Sequence, residues 1–217
     1  VRGINCTSNK VMFGSTEDCE YVYQFEDNKN YSSFFINEEH ISLSQNSYSM
    51  FANVLASYVV AKNFSIDSNL IKKEIASLEP PLGRCKIIKK RKYEIIDDTY
   101  NANLRSVIQG LEMLNNYNSE GNKIAIIGDM YELGDFSDKH HIEIGEYAAK
   151  TQINYLCTIG EYRKKIIKEV PSRIKTMAFN SNKEIAIYVN SIVGRGDIVY
   201  IKGSRGMMME EIIDLLK

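Results

Sequence analysis

The stretch E-I-I-D-D-T-Y-N-A-N at Glu94–Asn103 decides the fold, because an apolar run, two carboxylates and a helix start follow one another within ten residues. The β-branched pair Ile95 and Ile96 predicts a short buried strand. Beyond the carboxylates, Thr99 or Asn101 is predicted to cap a helix. The apolar positions that recur at helical spacing in that segment are Val107, Ile108, Leu111 and Leu114.

The acidic pair Asp97-Asp98 lies where this strand is predicted to end. In an open parallel sheet, ligands collect at the carboxyl ends of the strands, beside helix N-termini whose N–H groups favour anions. An acidic pair at such an edge suits a ribose hydroxyl or a metal ion. A plainer alternative stays open, in which Asp98 only caps the helix and Asp97 is solvated.

From Arg84 onward, predicted strands alternate with predicted helices. The strands are Cys85–Ile88, Tyr93–Asp97, Lys123–Ile127, Tyr155–Ile159, Ile174–Ala178 and Ile198–Ile201, and the helices are Asn103–Tyr117, Asp138–Thr151, Tyr162–Glu169, Lys183–Val193 and Met207–Leu216. This alternation predicts an α/β, Rossmann-like domain with a mainly parallel sheet and helices on both faces. No G-x-G-x-x-G follows any strand, so a dinucleotide site of the usual kind is not supported.

The first part of the chain, from Val1 to about Ser44, predicts a small antiparallel β-meander. Its strands are Lys10–Phe13, Glu20–Phe25, Ser32–Ile36 and His40–Leu43. A helix pair follows, with Ser47–Lys62 as its first member and Ser65 or Asp67 as the cap of the second. Pro80-Pro81 then ends the second helix. We therefore expect two domains, residues 1–80 and 81–217.

Two further loops follow predicted strands. Gly128–Asp135 sets acids between glycines, which suits an amine or a cation, although an ordinary strand-to-helix loop capped by Ser137 is an open alternative. Lys202–Gly206 (K-G-S-R-G) opens the last helix. Its cations, hydroxyl and N–H groups predict a carboxylate or phosphate cradle, which we favour over a solvated basic turn.

Composition excludes several classes of function. The 217 residues are 44% hydrophobic and 25% charged, with a net charge of -1, so neither nucleic-acid binding nor membrane insertion is predicted. Four cysteines without a C-x-x-C pair indicate neither a zinc ribbon nor a dithiol motif, and they fit a reducing cytoplasm. His140 and His141 point to different faces of a helix, so we expect one to pack and one to face solvent, and no metal site is assigned.

Several motifs, in this order, closely resemble those of the Mur ligase family. They are D-D-T-Y-N-A-N at Asp97–Asn103, G-D-M-Y-E-L-G at Gly128–Gly134, K-H-H-I-E-I-G-E-Y-A at Lys139–Ala148 and K-G-S-R-G-M-M-M-E-E at Lys202–Glu211. The resemblance covers the whole C-terminal domain and, more weakly, the segment from Asn53 to Arg84. It implies that residues 1–80 are the end of the central ATPase domain and that the reaction belongs to peptidoglycan synthesis in the cytoplasm.

The resemblance also implies roles for individual residues. Arg84 corresponds to the catalytic linker arginine that reaches the phosphates of ATP, and Asp98 to the aspartate that binds its ribose. The implied cofactor-binding residues are Asn53, Arg84, Asp98, Tyr100 and Asn101. The implied substrate-binding residues are Asn103, Asp129, Glu132, Leu133, Lys202, Gly203, Ser204 and Arg205.

The implied reaction is ligation of D-alanyl-D-alanine to UDP-N-acetylmuramoyl-tripeptide with ATP and Mg²⁺, by a monomer. The family's phosphate loop, G-x-x-G-K-[ST], and its magnesium ligands are not found in the sequence. We therefore expect the chain to be the C-terminal part of a longer ligase, with magnesium bound by the N-terminal part and no turnover by this part alone. Two alternatives remain: a non-catalytic binding module built on this domain, or a ligase of the same kind for another amino acid or dipeptide.

Overall fold

The computed structural model describes residues 8–27, 30–43, 50–168 and 170–217. The chain divides into two compact units, Val1–Pro80 and Pro81–Lys217. The predicted start of the first helix at Ser47 lies outside the described residues. None of the helices in the described ranges has the length and apolar character that a transmembrane span needs.

The first unit contains a four-stranded sheet and two helices. Its elements are β1 (Phe13–Gly14), β2 (Tyr21–Asp27), β3 (Asn30–Ile36), β4 (Glu39–Ser42), α1 (Phe51–Asn63) and α2 (Ser68–Ser77). Strands β2, β3 and β4 pair antiparallel, as predicted, but β1 pairs parallel to β2. The prediction of a purely antiparallel meander is therefore wrong at its first strand. Asp67 caps α2 by accepting hydrogen bonds from the N–H groups of Asn69 and Leu70.

The second unit is built on a six-stranded sheet in the order β5-β6-β10-β7-β8-β9. The strands are β5 (Lys86–Lys89), β6 (Glu94–Asp97), β7 (Lys123–Ile127), β8 (Tyr155–Ile159), β9 (Lys175–Phe179) and β10 (Ile198–Lys202). Strand β5 is antiparallel to β6, and all other neighbours are parallel. The predicted α/β, mainly parallel architecture is confirmed.

Helices cover both faces of this sheet. They are α3 (Leu104–Asn116), α4 (Ser137–Ala148), α5 (Arg163–Ile167), α6 (Asn182–Ile192) and α7 (Glu210–Leu215). Alternate strand residues point to opposite faces. Ile96 and Tyr200 pack with α3, α4 and α5, whereas Ile95 and Val199 pack with α6 and α7. Both faces are therefore buried, as the near-continuous apolar strands require.

Candidate functional site

The topology brings the three motif loops to one edge of the sheet. Strand β10 lies between β6 and β7 and is parallel to both. The loops that follow these strands begin at Asp98, Gly128 and Gly203, so they leave the sheet side by side at its carboxyl edge. This is the edge where open parallel sheets place their ligands.

Asp97 is buried and holds two loop segments. Its Oδ2 accepts a hydrogen bond from the N–H of Gly83 at 2.9 Å. Its Oδ1 accepts bonds from the N–H of Thr99 at 3.2 Å and from the Thr99 hydroxyl at 2.7 Å. A solvated Asp97 is therefore ruled out, because the carboxylate joins the segment around Gly83 to the end of β6.

Gly83 and Arg84 lie against Tyr100. Gly83 has φ +75°, and a Cβ atom added to it would lie 2.9 Å from the Tyr100 nitrogen, so glycine is required there. The Tyr100 N–H donates to the Gly83 carbonyl at 3.1 Å. Next along the chain, the Arg84 guanidinium lies 4.0 Å from the centroid of the Tyr100 ring. Two predicted cofactor-binding residues are thus in direct contact.

Asp98 forms a buried cluster with two residues of β10. Its Oδ2 accepts hydrogen bonds from Lys202 Nζ at 2.5 Å and from the Tyr200 hydroxyl at 3.0 Å. The Lys202 ammonium also donates to the Asn101 carbonyl at 2.9 Å. Because both bonds to the Asp98 side chain end on Oδ2, Oδ1 has no donor among the described residues. Asp98 does not cap the following helix, so that alternative is wrong.

This cluster contains Lys202, for which the sequence suggested a role, and Tyr200, for which it suggested none. Lys202 was predicted to bind substrate, but its side chain is only 3% exposed and is paired with Asp98. The sequence does not reveal the contact of Tyr200 with Asp98, because a tyrosine in an otherwise apolar strand gives no sign of a polar partner. Burial, followed by the charge of Asp98, raises the pKa of the Tyr200 hydroxyl, which therefore stays protonated and donates.

Gly110 makes room for the Tyr200 hydroxyl. A Cβ atom on Gly110 would lie 1.7 Å from that oxygen. We expect Gly110→Ala to lower the free energy of unfolding by about 1–3 kcal/mol, because overpacking outweighs the better helix propensity of alanine. Urea unfolding measures this, with Gln109→Ala on the exposed side of α3 as the control. A gain in stability for Gly110→Ala would show that the contact is absent.

Asn101 and Asn103 both have local partners. Asn103, rather than Thr99 or Asn101, caps α3: its side chain accepts from the Ser106 N–H at 2.9 Å, and the Ser106 hydroxyl accepts from the Asn103 N–H at 3.1 Å. The Asn101 side chain accepts from the N–H of Ala102 at 2.8 Å. The side chain of Asn103, predicted to bind substrate, is therefore engaged in the helix cap, and Asn101 meets the cluster through its carbonyl.

The loop after β7 and the loop after β10 are joined by hydrogen bonds. The Gly128 N–H donates to the Lys202 carbonyl at 2.8 Å, and the Ser204 N–H donates to the Asp129 carbonyl at 2.9 Å. Ser204 is 2% exposed, and its hydroxyl accepts a hydrogen bond from the Tyr131 N–H at 2.7 Å. Ser204 was predicted to bind substrate, but in this structure its hydroxyl fixes one loop to the other.

Asp129, also predicted to bind substrate, is buried and organises the neighbouring loop. Its carboxylate accepts from the N–H groups of Glu161 at 2.6 Å and Tyr162 at 3.1 Å, beyond the end of β8. Burial raises the pKa of this carboxyl, and the two backbone bonds oppose that shift. The Asp129 carboxylate therefore holds the loop that follows β8, and its contact with substrate stays a prediction.

The other predicted substrate residues of these two loops differ in their exposure to solvent. Glu132 is exposed with φ +63°, and Leu133 is half-buried. Arg205 is exposed and pairs with Glu210 at 2.8 Å. Gly203 is buried, because the backbone there packs closely against Gly128. Glu132 and Arg205 therefore remain the charged side chains of this set that face solvent.

His141 supports the loop after β7 through a hydrogen bond to its backbone. Its Nε2 accepts from the Met130 N–H at 2.9 Å, so Nδ1 carries the proton and donates to the Ser137 carbonyl at 2.6 Å. Burial lowers the pKa of this imidazole, and the ring stacks on Tyr162 with centroids 4.2 Å apart. The expectation that one histidine of the pair packs is met by His141. Ser137 does not cap α4 with its side chain, since that helix has no side-chain cap.

The neutral His141 predicts a pH-dependent stability. Its pKa is lowered from an ordinary value of 6.5, so the unfolded chain takes up a proton before the folded one. Stability should be fully present above that value and fall with decreasing pH below it, by at most about 1.4 kcal/mol per pH unit. Thermal unfolding from pH 7.5 to 5 should show this loss in the wild type and in His140→Gln. An equal loss in His141→Leu would contradict the assignment.

A pocket of about 280 Å³ lies at the same edge, with Gly83, Asp97, Thr99, Tyr100 and Arg205 among the residues that line it. Asn53, a predicted cofactor-binding residue, is exposed on α1 of the first unit. Within the described ranges, no three acidic, histidine or cysteine side chains are grouped closely enough to hold a metal ion.

Comparison with known proteins identifies the family. Residues 83–205 match the family model "Mur ligase, glutamate ligase domain", which covers more than half of the chain. This protein belongs to the Mur ligase family. The match includes the loops after β6 and β7 and reaches Arg205 in the loop after β10.

Relatives of this Mur ligase chain share one name, "UDP-N-acetylmuramoyl-tripeptide--D-alanyl-D-alanine ligase". The protein of Rickettsia prowazekii is 31% identical over 68% of this chain and 33% of its own length. That of Buchnera aphidicola subsp. Baizongia pistaciae is 31% identical over 82% of this chain and 38% of its own. The protein of Bacillus subtilis is 27% identical over 76% and 37%. The matched segments thus span about a third of the length of these relatives, and the chain spans less than half.

Solved structures support the fold of this Mur ligase chain. A MurF from Acinetobacter baumannii superposes with a TM-score of 0.81 at 23% identity, over 94% of this chain and 46% of that one. The MurF ligase of Thermotoga maritima, solved in complex with ADP, superposes with a TM-score of 0.75 at 24% identity, over 95% and 48%.

Proposed function

We propose that this chain is the C-terminal part of an ATP-dependent ligase that adds D-alanyl-D-alanine to UDP-N-acetylmuramoyl-tripeptide in cytoplasmic peptidoglycan synthesis. The observation that carries the proposal is the edge formed by β6 and β10. There, the Asp98 carboxylate is held through Oδ2 by Lys202 and Tyr200, its Oδ1 has no donor among the described residues, and Arg84 is exposed. The name that these relatives share supports the choice of substrates.

The residues at this edge fit a nucleotide. A carboxylate oxygen without a protein donor can accept hydrogen bonds from ribose hydroxyls. A guanidinium presents planar donors that match phosphate oxygens. We assign the ribose to Asp98 and the phosphates to Arg84, with Asn53 as a further nucleotide contact.

In this proposal, the loops after β7 and β10 form the side of the site that binds the dipeptide. Their hydrogen bonds fix the backbone, while Glu132 and Arg205 face solvent with one charge of each sign. A dipeptide carries an ammonium and a carboxylate, which complement such a pair. Asp129, Ser204 and Lys202 act behind this surface as positioning residues.

ATP supplies the phosphoryl group that activates the peptide carboxylate for attack by the dipeptide amine. The residues of this chain bind, orient and stabilise charge, and such positioning supplies much of the catalysis of phosphoryl and acyl transfer. We place the Mg²⁺ ligands in the part of the ligase that precedes this chain, and we propose that the ligase acts as a monomer.

The test is phosphate release by the full-length protein with ATP, Mg²⁺, UDP-N-acetylmuramoyl-tripeptide and D-alanyl-D-alanine, beside the 217-residue chain alone. We expect release by the full-length protein only when the dipeptide is present, and none by the chain. Release that requires another amino acid would indicate a ligase of different specificity. No release with any acceptor would indicate a binding module.

A further inference from the structure

The contact between Arg84 and Tyr100 holds the cation against the face of an aromatic ring. The guanidinium carbon lies 4.0 Å from the ring centroid, and Tyr100 is 47% exposed. Within the described part of the chain, no carboxylate pairs with Arg84. An aromatic ring attracts a guanidinium through its face and leaves the N–H donors available. A carboxylate partner would occupy those donors, which the phosphates need.

Both members of this contact are fixed by the backbone. The Gly83 N–H donates to Asp97 Oδ2 at 2.9 Å, and the Tyr100 N–H donates to the Gly83 carbonyl at 3.1 Å. The Arg84 N–H closes the turn by donating to the Pro81 carbonyl at 3.1 Å. Arg84 therefore belongs to the edge of the second unit, and its guanidinium lies over the ring of Tyr100, whose backbone is hydrogen-bonded to Gly83.

We propose that Tyr100 is a positioning residue for Arg84: its ring orients the guanidinium toward the phosphates before they arrive, instead of contacting the nucleotide itself. The inference rests on the proposed function for the role of Arg84. It assigns to Tyr100 a task that acts only through a second residue. Loss of the Tyr100 ring should therefore slow phosphoryl transfer from ATP, in which Arg84 contacts the phosphates. It should leave binding of the ribose intact.

The kinetic test compares Tyr100→Leu, Tyr100→Phe and Arg84→Met in the full-length ligase. We expect Tyr100→Leu to lower kcat by about three- to thirty-fold, with the KM for ATP changed by less than about two-fold. Tyr100→Phe keeps the ring face and should restore most of kcat. Arg105→Met, on the exposed side of α3, is the matched control for loss of an arginine.

A double-mutant cycle on kcat tests whether Tyr100 acts through Arg84. If Tyr100 acts through Arg84, Tyr100→Leu should cause no further loss of kcat in the Arg84→Met background. Additive losses would overturn the proposal. A raised KM for ATP with unchanged kcat would also overturn it, because Tyr100 would then contact the nucleotide directly.

A second readout does not depend on ligase activity. In the 217-residue chain, ring current from Tyr100 should shift the NMR signals of the Arg84 δ and ε protons upfield. The shift should persist in Tyr100→Phe and vanish in Tyr100→Leu. Shifted signals in a full-length protein that lacks ligase activity would count against the proposed function alone, whereas unshifted signals in the wild type would overturn the positioning role.

Discussion

Lys202→Met should lower the free energy of unfolding by about 3–5 kcal/mol, because it removes the cation from a buried ion pair. Lys202 and Asp98 side chains are 3% and 9% exposed, and their Nζ and Oδ2 atoms lie 2.5 Å apart. Without the ammonium, the buried carboxylate would keep only the Tyr200 hydroxyl as a donor among the described residues. Such an uncompensated charge costs far more than loss of an exposed pair.

Urea unfolding of the 217-residue chain at pH 7 measures this loss. The control is Lys139→Met, since Lys139 is 70% exposed in its pair with Glu143 and should change stability by less than about 0.5 kcal/mol. The double variant Asp98→Asn with Lys202→Met should recover part of the loss, because no charge is then left unpaired. Similar losses in Lys202→Met and the control would mean that the pair is solvated.

Asp98→Asn in the full-length ligase should raise the KM for ATP about ten- to hundred-fold, because a hydrogen bond to a charged acceptor is worth about 1.5–3 kcal/mol. The KM for D-alanyl-D-alanine should change much less. Tyr200→Phe separates ribose contact from fold, since it removes a bond to Oδ2 and keeps the Oδ1 acceptor. An unchanged KM for ATP in Asp98→Asn would refute the ribose assignment.

The layered fold of the second unit could be predicted because its signal is local. Runs such as Ile124–Ile127 are apolar enough to be buried on both faces, and helical spacing in the segments between them is clear. The position of β10 between β6 and β7 could not be predicted, because no local pattern encodes which strands pair. That order is what places the loops after these three strands side by side.

The sequence indicates where the candidate site lies, but it does not predict which side chains pair with one another there. The carboxylate of Asp98 is visible in the sequence at the end of a predicted strand, whereas its partner Lys202 is 104 residues away along the chain. The helix cap was misassigned because Thr99 is taken by the Asp97 carboxylate, so α3 begins later, at the cap Asn103. Asp129 and Ser204 look like surface ligands in a glycine-rich loop, but backbone donors from adjacent loops occupy them.

The most direct test of the ribose and phosphate assignments is a crystal structure of the full-length protein with ADP. We predict ribose hydroxyls at hydrogen-bonding distance, about 2.6–3.2 Å, from Asp98 Oδ1, and the Arg84 guanidinium directed at the phosphates with Tyr100 still against it. A nucleotide bound away from the edge of β6 and β10 would contradict both assignments. A ribose without contact to Asp98 would contradict the ribose assignment.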